Sequence, residues 1–523
     1  MSKTKQSRDY TLNRLSILLR NEKKYDITDM VIDFEYHESI ESPFLRCDFT
    51  IIDAVDFNLN LLGGEEILID LVTHNAKEVS LKVIMQVYKI GSISKLERQQ
   101  MYILHTVSPE MYWNEINKVF AAFGPESSKD VNNIPYSIVE KYLQPHNTKL
   151  TRSNFEDHSK LTFISPSWRP TDTIAYLSDK VTRTTASKGS QKQSGFLFFE
   201  TSKGFHFKSI DKLAEQEALD FPYRYTQGGV DPDNKDGQGY LIESVQYPDR
   251  ANHLKNLRMG TYKTVTIGVS FPMPTDSHVQ QPTGSSGNLV VEDANKSDTD
   301  TKADTSAKGK ADPSASSTAP SGTVHAPLIT TYGRTFSKAT TLENEMPFAL
   351  PTMLPKGVLE KPSTPSTRFK MKALPGMKNI QGANAAQVKQ DQNITRTDNV
   401  TTTTTTTQRT YTALDNLNGN KPKGASGMKE QSQNSIMVAT YAASRYNLMK
   451  AIQLNLVVPG NTALHAGDVI KVVIPSSQEE GKNVVEDYKY SGKYLIAGLT
   501  HIWKSEGVTT RLSLVRDSTK TRA

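Results

Sequence analysis

The strongest constraint on the fold is a two-residue alternation of apolar and polar side chains in the first hundred residues. In the stretch SPFLRCDFTIIDA, the side chains of Leu45, Cys47, Phe49 and Ile51 would share one face of a strand. Four other stretches show similar strand patterns with turn residues between them: DMVIDFEYH, EEILIDLVTH, VSLKVIMQVYKI and QQMYILHTVS. Five or six short strands with little helix predict a small barrel or sandwich, which we place at residues 8–107.

The spacing at which apolar residues recur changes after Pro109. In the stretch 108–124, apolar residues recur at helical spacing, and two shorter helical patterns follow it. The stretch SGFLFFETSKGFHFKSIDKL then predicts a hairpin that turns at Lys203 and Gly204. Helices and strands together predict an α+β domain over residues 108–250.

A polar, low-complexity stretch follows, and we place it at residues 276–435. It is rich in small and polar residues and contains an uninterrupted threonine run at 401–407. Such a composition buries too little apolar surface to offset the entropy that is lost on ordering. Apolar islands such as MPFALPTMLP interrupt this stretch. We therefore expect an extended insertion that lies as arms on neighbouring subunits or partner proteins.

Ordered patterns return near the C-terminus. A helical pattern begins near residue 436 and leads into two strand patterns, IQLNLVVP and LHAGDVIKVVIP. The stretch KYLIAGLTHIWKSEGVTTRLSLVRDS, residues 493–518, has the pattern of two strands and a turn. A barrel made of these strands lacks one strand, and 261–271 is the expected source. The second barrel is thus predicted from 251–275 and 436–518, and the long insertion is tolerable because loop-closure entropy rises only logarithmically with length.

The best candidate for a metal site is the loop DPDNKDGQG at residues 231–239. Asp231, Asp233 and Asp236 give it the acid density of a calcium loop. The glycine that such a loop requires comes one position late, and Ile242 takes the place of the bidentate glutamate. We expect an ordinary turn rich in Asp, Asn and Gly, while a weak ion site there stays open.

The other residues that could carry chemistry are isolated in sequence. His253, His465 and His501 are expected to be solvated or hydrogen-bonded side chains. Cys47, the single cysteine, is expected to be a buried thiol, and it cannot form an intrachain disulfide. The three tryptophans are expected to be core or interface aromatics: Trp113, Trp168 and Trp503. Since the sequence shows no hydrolase or phosphate-loop motif, we predict no catalytic, cofactor-binding or metal-binding residue and no enzyme activity.

The net charge and the hydropathy of the chain add little to the prediction of function. The net charge of +6 over 523 residues is too small a bias to predict binding to nucleic acid or to a membrane surface. The N-terminal stretch MSKTKQSRDY is polar, and no stretch reaches the roughly 18–20 apolar residues of a membrane span. We expect a soluble protein that is made in a cytosol.

In their order, these segments resemble the tail hub proteins of contractile-tailed bacteriophages, a family related to the base of type VI secretion spikes. FLRCDFTIIDA and GGEEILIDL resemble its first barrel, and PSWRPTDTIAYLSDKV with the following hairpin resembles its intermediate domain. NLRMGTYKTVTIGVSF resembles the strand that leads into the second barrel, and the hairpin at 493–518 resembles part of that barrel. The family pattern does not explain the insertion at 276–435.

The resemblance implies a mostly β fold with an α+β middle: two small tube-type β-barrel domains, an intermediate α+β domain and the long low-complexity insertion. It implies a structural tail baseplate hub, which is a homotrimer whose six barrels form a ring. Such a ring would join a sixfold tail tube to a threefold central spike, and DNA would pass through its lumen without specific binding.

The implied partners are tail tube or tube-initiator proteins, the central spike protein and, through residues 276–435, baseplate wedge and tape-measure proteins. No cofactor is implied. The implied location is the phage tail baseplate in the virion, after assembly in the host cytoplasm. Two other hypotheses stay open: a tail-associated cell-wall hydrolase mounted on hub-like barrels, and a tail-tip adhesin that binds carbohydrate.

Overall fold

A computed structural model describes most of the chain outside the insertion. The described residues are 8–20, 22–74, 79–123, 133–145, 149–159, 161, 163–184, 193–226, 240–248, 263–270, 290–293, 328–335, 342–343, 408–413, 438–439, 441–443, 445–480, 483–487 and 489–519. Within these residues the protein is mostly β, with 23 strands and a few short helices. None of the described helices is long and apolar enough to cross a membrane.

The first seven strands form what we call the first β unit. They are β1 (Tyr10–Leu18), β2 (Lys24–Asp26), β3 (Val31–Ser39), β4 (Arg46–Asp53), β5 (Glu66–Thr73), β6 (Ser80–Leu96) and β7 (Gln99–Val107). They pair antiparallel in the order β3-β4-β7-β6-β5-β1-β2. Cys47, Phe49 and Ile51 of β4 face the core, as their alternation predicted.

A middle segment of short helices and strand pairs follows. It contains α1 (Glu110–Ile116), β8 (Val119–Phe123), α2 (Ile134–Ile138), β9 (Phe163–Trp168), α3 (Pro170–Ser178), β10 (Phe196–Thr201), β11 (Gly204–Ser209) and α4 (Ile210–Ala214). β8 pairs with β9, and β10 pairs with β11. The turn of the second pair requires Gly204, because its φ is +112° and a Cβ there would lie 2.1 Å from the carbonyl oxygen of Lys149.

The single helix predicted over 108–124 is shorter in the structure. It ends at Ile116, and residues 119–123 form β8 instead. The apolar residues of this stretch fit both periods, and pairing with β9 decides in favour of the strand.

Six further strands follow the middle segment. β12 (Tyr223–Arg224) and β13 (Ser244–Gln246) are very short. The other four form a separate sheet in the order β15-β16-β14-β17: β14 (Lys263–Ser270), β15 (Val290–Asp293), β16 (Leu328–Thr335) and β17 (Gln408–Ala413). The last three of these strands in chain order lie within the stretch 276–435, at sites where β-branched and aromatic residues interrupt its polar composition.

The chain then returns to the main sheet. Residues 438–439, 441–443 and 445–449 are helical. The last strands are β18 (Ile452–Pro459), β19 (Val469–Val473), β20 (Pro475–Glu480), β21 (Asn483–Glu486), β22 (Gly492–Lys504) and β23 (Gly507–Arg516). We call β12, β13, β18, β19, β22 and β23 the second β unit; β20 and β21 pair with each other as a separate ribbon.

An isolated bridge lies between the two ends of the strand order in the second β unit. The order is β12-β19-β22-β23-β18-β13. Arg224 of β12 then forms a bridge with Leu241, just before β13, and its carbonyl oxygen accepts a hydrogen bond from Ile242 N at 2.8 Å.

The strand expected from residues 261–271 pairs elsewhere. Lys263–Ser270 lies between β16 and β17 in the separate sheet. The second β unit contains two short strands instead: β12 pairs with β19, and β13 pairs with β18. Tyr223 of β12 lies in the second core. Strands of two and three residues are too short to show an alternation, so the sequence pattern did not reveal them.

The two β units belong to one sheet. β3 of the first unit pairs antiparallel with β22 of the second, and this seam completes a sheet of 13 strands. Each unit has a separate apolar core, and two more clusters lie in the middle segment and at its contact with the second unit.

Candidate assembly junction

The hairpin of β22 and β23 contributes to both β cores. Near its turn, Trp503 and Val508 belong to the core of the first β unit. Further from the turn, Tyr494, Leu499 and Leu512 belong to the core of the second. One hairpin is therefore a shared wall, which accounts for the regular alternation of residues 493–518.

Trp503 fixes the hairpin against the first core. Its ring stacks on Phe34 at a centroid distance of 5.3 Å and an angle of 14°, and it meets Tyr10 edge-on at 5.9 Å. Phe34 is also its partner in the register of the seam. Aromatic pairs of this kind contribute about 0.5–1.5 kcal/mol each beyond the burial of area. The seam is therefore held by side-chain packing as well as by backbone hydrogen bonds.

β22 changes its neighbour part-way along its length. Its first residues, as far as Leu495, pair with β19, and its later residues, from Gly498, pair with β3. β23 stays on its other side along this length, with a bulge just before Gly498. At the bulge, the carbonyl oxygen of Ala497 accepts a hydrogen bond from Ile40 N at 2.9 Å. A bulge bends a strand and increases its twist, which allows β22 to pass from one β unit to the other.

A buried carboxylate ties three regions together beside this bulge. Glu38 of β3 accepts hydrogen bonds from Tyr36 Oη at 2.8 Å, from Ser202 N at 2.8 Å and from Ala466 N at 3.0 Å. Burial raises the pKa of Glu38. The nearby His465 and the backbone donors outweigh that effect and lower the pKa to about 2. Glu38 is therefore ionised in the folded protein, and it joins the first β unit to the middle segment and to the loop before β19.

Two buried histidines lie close to this carboxylate. His501 Nδ1 lies 2.9 Å from Thr510 Oγ1, and its ring stacks on Tyr36 at 6.0 Å. His206 Nε2 lies 2.9 Å from Thr201 Oγ1. Burial lowers the pKa of His501 to about 4 and that of His206 to about 3. Both rings are therefore neutral at neutral pH.

The helical residues 438–439, 441–443 and 445–449 are held by a buried ion network where the chain returns to the main sheet. Arg445 donates from Nε to Asp211 at 3.0 Å and from a terminal nitrogen to Asp517 at 2.8 Å. Tyr441 Oη donates to Asp211 at 2.8 Å, and Leu342 N donates to Asp517 at 3.0 Å. All three charged groups are buried. Removing one partner from such a network leaves an uncompensated charge, so the network specifies how the returning helix docks.

A second ion cluster joins the middle segment to the first β unit. Lys149 Nζ donates to Glu110 at 3.0 Å and to Glu200 at 2.9 Å. Glu200 in turn accepts a hydrogen bond from Leu45 N, just before β4. Burial raises the pKa of Glu200, against the lowering effect of the Lys149 charge.

The residues that the sequence singled out lie in different places. Cys47 is a buried thiol, and burial raises its pKa well above the usual value. His465 and His501 are buried and hydrogen-bonded, as expected. The loop at 231–239 and His253 lie outside the described residues, so the interpretation of that loop as an ordinary turn stays a prediction. Ile242 is part of the second core.

The tryptophans differ in their surroundings. Trp503 is a core residue, whereas Trp168 packs against Tyr176 at 5.1 Å and Trp113 of α1 is exposed. In the described ranges, no group of three or more His, Cys, Asp or Glu side chains is arranged to hold a metal ion.

Sequence reasoning missed Glu38 and Arg445, although each left a signal. Glu38 continues the face of β3 that carries Phe34 and Tyr36, and Arg445 lies within a buried helical face. A charge at an apolar position of a strong pattern indicates a buried, paired group. Asp211 left no such signal.

Solved structures that are similar to this chain include proteins of phage tails and of type VI secretion. The 43 kDa tail protein of prophage MuSo2 from Shewanella oneidensis matches at 9% identity and a TM-score of 0.43, over 98% of this chain and 100% of that one. A tail protein from Neisseria meningitidis MC58 matches at 8% identity and a TM-score of 0.42, over 97% and 96%. A component of the type VI secretion system of E. coli matches at 10% identity and a TM-score of 0.34, over 98% and 79%.

These neighbours fall in the classes that the sequence resemblance names. No protein family model matches the chain, and no curated protein matches it by sequence.

Proposed function

We propose that the protein is a structural hub of a phage tail baseplate. Three copies would form a ring, and each copy would contribute two adjacent β units to its wall. The observation that carries this proposal is the seam between β3 and β22, which places both units edge to edge in one sheet of a single chain. A continuous sheet is what the wall of a tube requires, because an unpaired strand edge would otherwise remain exposed.

Each β unit would be a small barrel of the tube type. The bridge between Arg224 and Leu241, near the two ends of the pairing order of the second unit, supports this. The first unit, at about residues 8–107, would be completed by the hairpin turn that carries Trp503. The second would be assembled from residues 223–246 and 452–518 and split by the insertion at 276–435.

Two units in each of three copies would reconcile two symmetries. A ring of six near-equivalent units can contact a sixfold tail tube, while its threefold symmetry fits a central spike. An obligate interface between such copies commonly buries upwards of about 2,000 Å². DNA would pass through the lumen, so we expect a polar lining without clusters of Lys and Arg.

The insertion would act in assembly rather than in folding of the barrels. Its arms would reach baseplate wedge and tape-measure proteins, while the ring itself contacts tube or tube-initiator proteins and the spike. The role is structural, and the site of action is the virion tail after assembly in the host cytoplasm.

Native mass spectrometry and electron-microscope class averages of the purified full chain test this function. We expect assemblies of three chains of 58.2 kDa each and threefold averages with six similar densities around a bore. The same preparation should neither clear peptidoglycan nor bind stoichiometric metal. A monomer, or a particle without threefold symmetry, would overturn the proposal that the protein is a hub.

A further inference from the structure

Two residues of the insertion pack against the main body of the protein. Leu342 and Glu343 lie within the stretch 276–435, and Leu342 is buried while Glu343 is half-buried. Leu342 belongs to an apolar cluster in which the first β unit, the middle segment and the second β unit are represented by Ile40, Phe199 and Leu495. The polar composition of the insertion gave no indication of this contact.

The backbone of these two residues is held at the end of β23. Leu342 N donates a hydrogen bond to Asp517 Oδ1 at 3.0 Å, and Glu343 N donates to Ser518 Oγ at 2.7 Å. Ser518 Oγ in turn donates to the same Asp517 oxygen at 2.8 Å. Asp517 and Ser518 are both buried. Two consecutive backbone donors therefore meet a pair of ordered acceptors, which fixes the direction of the chain at this point.

The carboxylate of Glu343 is held at the start of β22. Its Oε1 accepts a hydrogen bond from Lys493 N at 2.6 Å. Burial lowers the pKa of Arg516, and the nearby charge of Glu343 acts in the opposite direction. Gly492 leaves the space for this carboxylate: its φ is +138°, and a Cβ there would lie 2.5 Å from Glu343 Oε1. The start of β22 therefore accommodates an acidic side chain.

The contact also joins the insertion to the helical residues that follow it. One oxygen of Asp517 accepts from Leu342 N, and the other accepts from Arg445 at 2.8 Å. Residues 342 and 445 are thus linked through one buried side chain. Because Leu342 is tethered to this site by its own chain, its effective concentration there is on the order of mM. A few contacts are then enough to keep the site occupied.

The chemistry of the site selects an apolar residue that is followed by an acid. The apolar cluster takes the first side chain, and Lys493 N with the charge of Arg516 takes the second. The insertion contains the same dipeptide once more, at Leu359–Glu360. That second dipeptide provides a matched control for the first.

We propose that the start of β22 and the end of β23 form a docking site for an apolar–acidic dipeptide, and that Leu342–Glu343 of the same chain occupies it. The contact clamps the insertion to the body at a point inside its length. It divides the insertion into residues 276–341 and 344–435, which can then contact different partners. This inference goes beyond the proposed function, because the clamp does not require a ring.

Hydrogen exchange of the full chain, resolved at the amide of Lys493 by mass spectrometry, tests the clamp. Glu343→Ala removes the acceptor of this amide, and the half-buried position allows the chain to fold. Leu342→Asp places a charge in the apolar cluster and should release the dipeptide. We expect the Lys493 amide to exchange at least about tenfold faster in both variants. Glu360→Ala, the matched control, should leave that exchange rate unchanged.

Each other outcome has a definite meaning. Unchanged exchange at Lys493 in Glu343→Ala would overturn the clamp, even if Leu342→Asp fails to fold. An equal effect of Glu360→Ala would show that Leu342–Glu343 is not the occupant. The protection should not depend on protein concentration, and protection that is lost on dilution would mean that a second copy fills the site, which overturns the assignment to the same chain. A monomeric wild type with a protected Lys493 amide would overturn the hub and support the clamp.

Discussion

The first and second β units differ in how they complete their cores. The first unit is built from residues 10–107, yet its core includes Trp503 and Val508 from the far end of the chain. The described core of the second unit takes all its residues from Tyr223 onward and none from the first unit. The sharing of core residues therefore runs in one direction: the hairpin adds two residues to the first core, and no residue of the first unit enters the described second core.

This asymmetry explains why residues 493–518 form a regular hairpin. The hairpin belongs to the second core along most of its length and completes the first core only near its turn. Full burial of the first core consequently requires the complete chain.

Trp503→Ala should have the largest effect, and the effect should be confined to the first β unit. Removing a large buried aromatic costs about 3–5 kcal/mol. Hydrogen exchange measured by mass spectrometry should show loss of protection in β3 and β4 and a much smaller change in β18. Leu512→Ala is the reverse control, since Leu512 lies in the second core. If both variants lost protection equally in both β units, the asymmetry between the two cores would be contradicted.

Glu38→Gln should weaken the contact among the two units and the middle segment. The amide has one acceptor oxygen for the donors of Tyr36, Ser202 and Ala466, so one buried donor loses its partner at about 1–3 kcal/mol. Glu35→Gln on the opposite face of β3 is the control and should be nearly neutral. Chemical denaturation of both variants measures the difference, and equal midpoints would contradict the role given to Glu38.

Acid should destabilise the junction. The pKa of His501 is about 4 and that of His206 about 3 in the folded protein, below the usual value near 6.5 of an unfolded chain. Between these values the unfolded chain binds more protons, so stability falls as the pH drops below about 6.5. At pH 5.5 each histidine should lower the free energy of unfolding by about 1 kcal/mol.

Melting temperatures at several pH values measure this loss. Glu38 adds to the loss of stability only below about pH 4.5. Its pKa in the folded protein is about 2, so its contribution to stability disappears as the pH falls toward that value. His501→Gln should flatten the slope between pH 6.5 and 5. An unchanged slope would show that His501 is not the titrating group.

Arg8→Ala should have the smallest effect. Arg8 donates two hydrogen bonds to Glu243, at 3.0 and 2.8 Å, and so links the start of the chain to the second unit. Half of the Arg8 side chain is exposed, and exposed ion pairs contribute about 0–1 kcal/mol. The loss of stability caused by Arg8→Ala should be smaller still in high salt, because salt screens the exposed ion pair. A loss of more than about 2 kcal/mol would mean that the link between the units depends on charge rather than on the shared hairpin.

The long strands could be predicted from the sequence, and the short ones could not. The alternation of β4 and of the hairpin is visible because each spans at least eight residues with one buried face. β12 and β13 have no detectable period, so a longer strand, Lys263–Ser270, was expected to fill their place. Tertiary pairing, which the sequence pattern does not encode locally, decides between them.

The junction itself was only partly predictable. Trp503 was expected to be a core or interface aromatic, but its stacking partner, Phe34, lies more than 450 positions away in sequence. Glu38 and Ala466, which the loop before β19 carries, are 428 positions apart. The sequence could not show that these residues meet.

An electron-microscopy reconstruction of the assembled full chain, at a resolution that separates strands, tests whether the two β units form one continuous wall. We expect three chains around a bore, each contributing two adjacent β units, with β3 and β22 paired in the wall and Trp503 stacked on Phe34. A ring in which only one unit of each chain lines the bore, or in which β3 and β22 lie apart, would contradict the central claim.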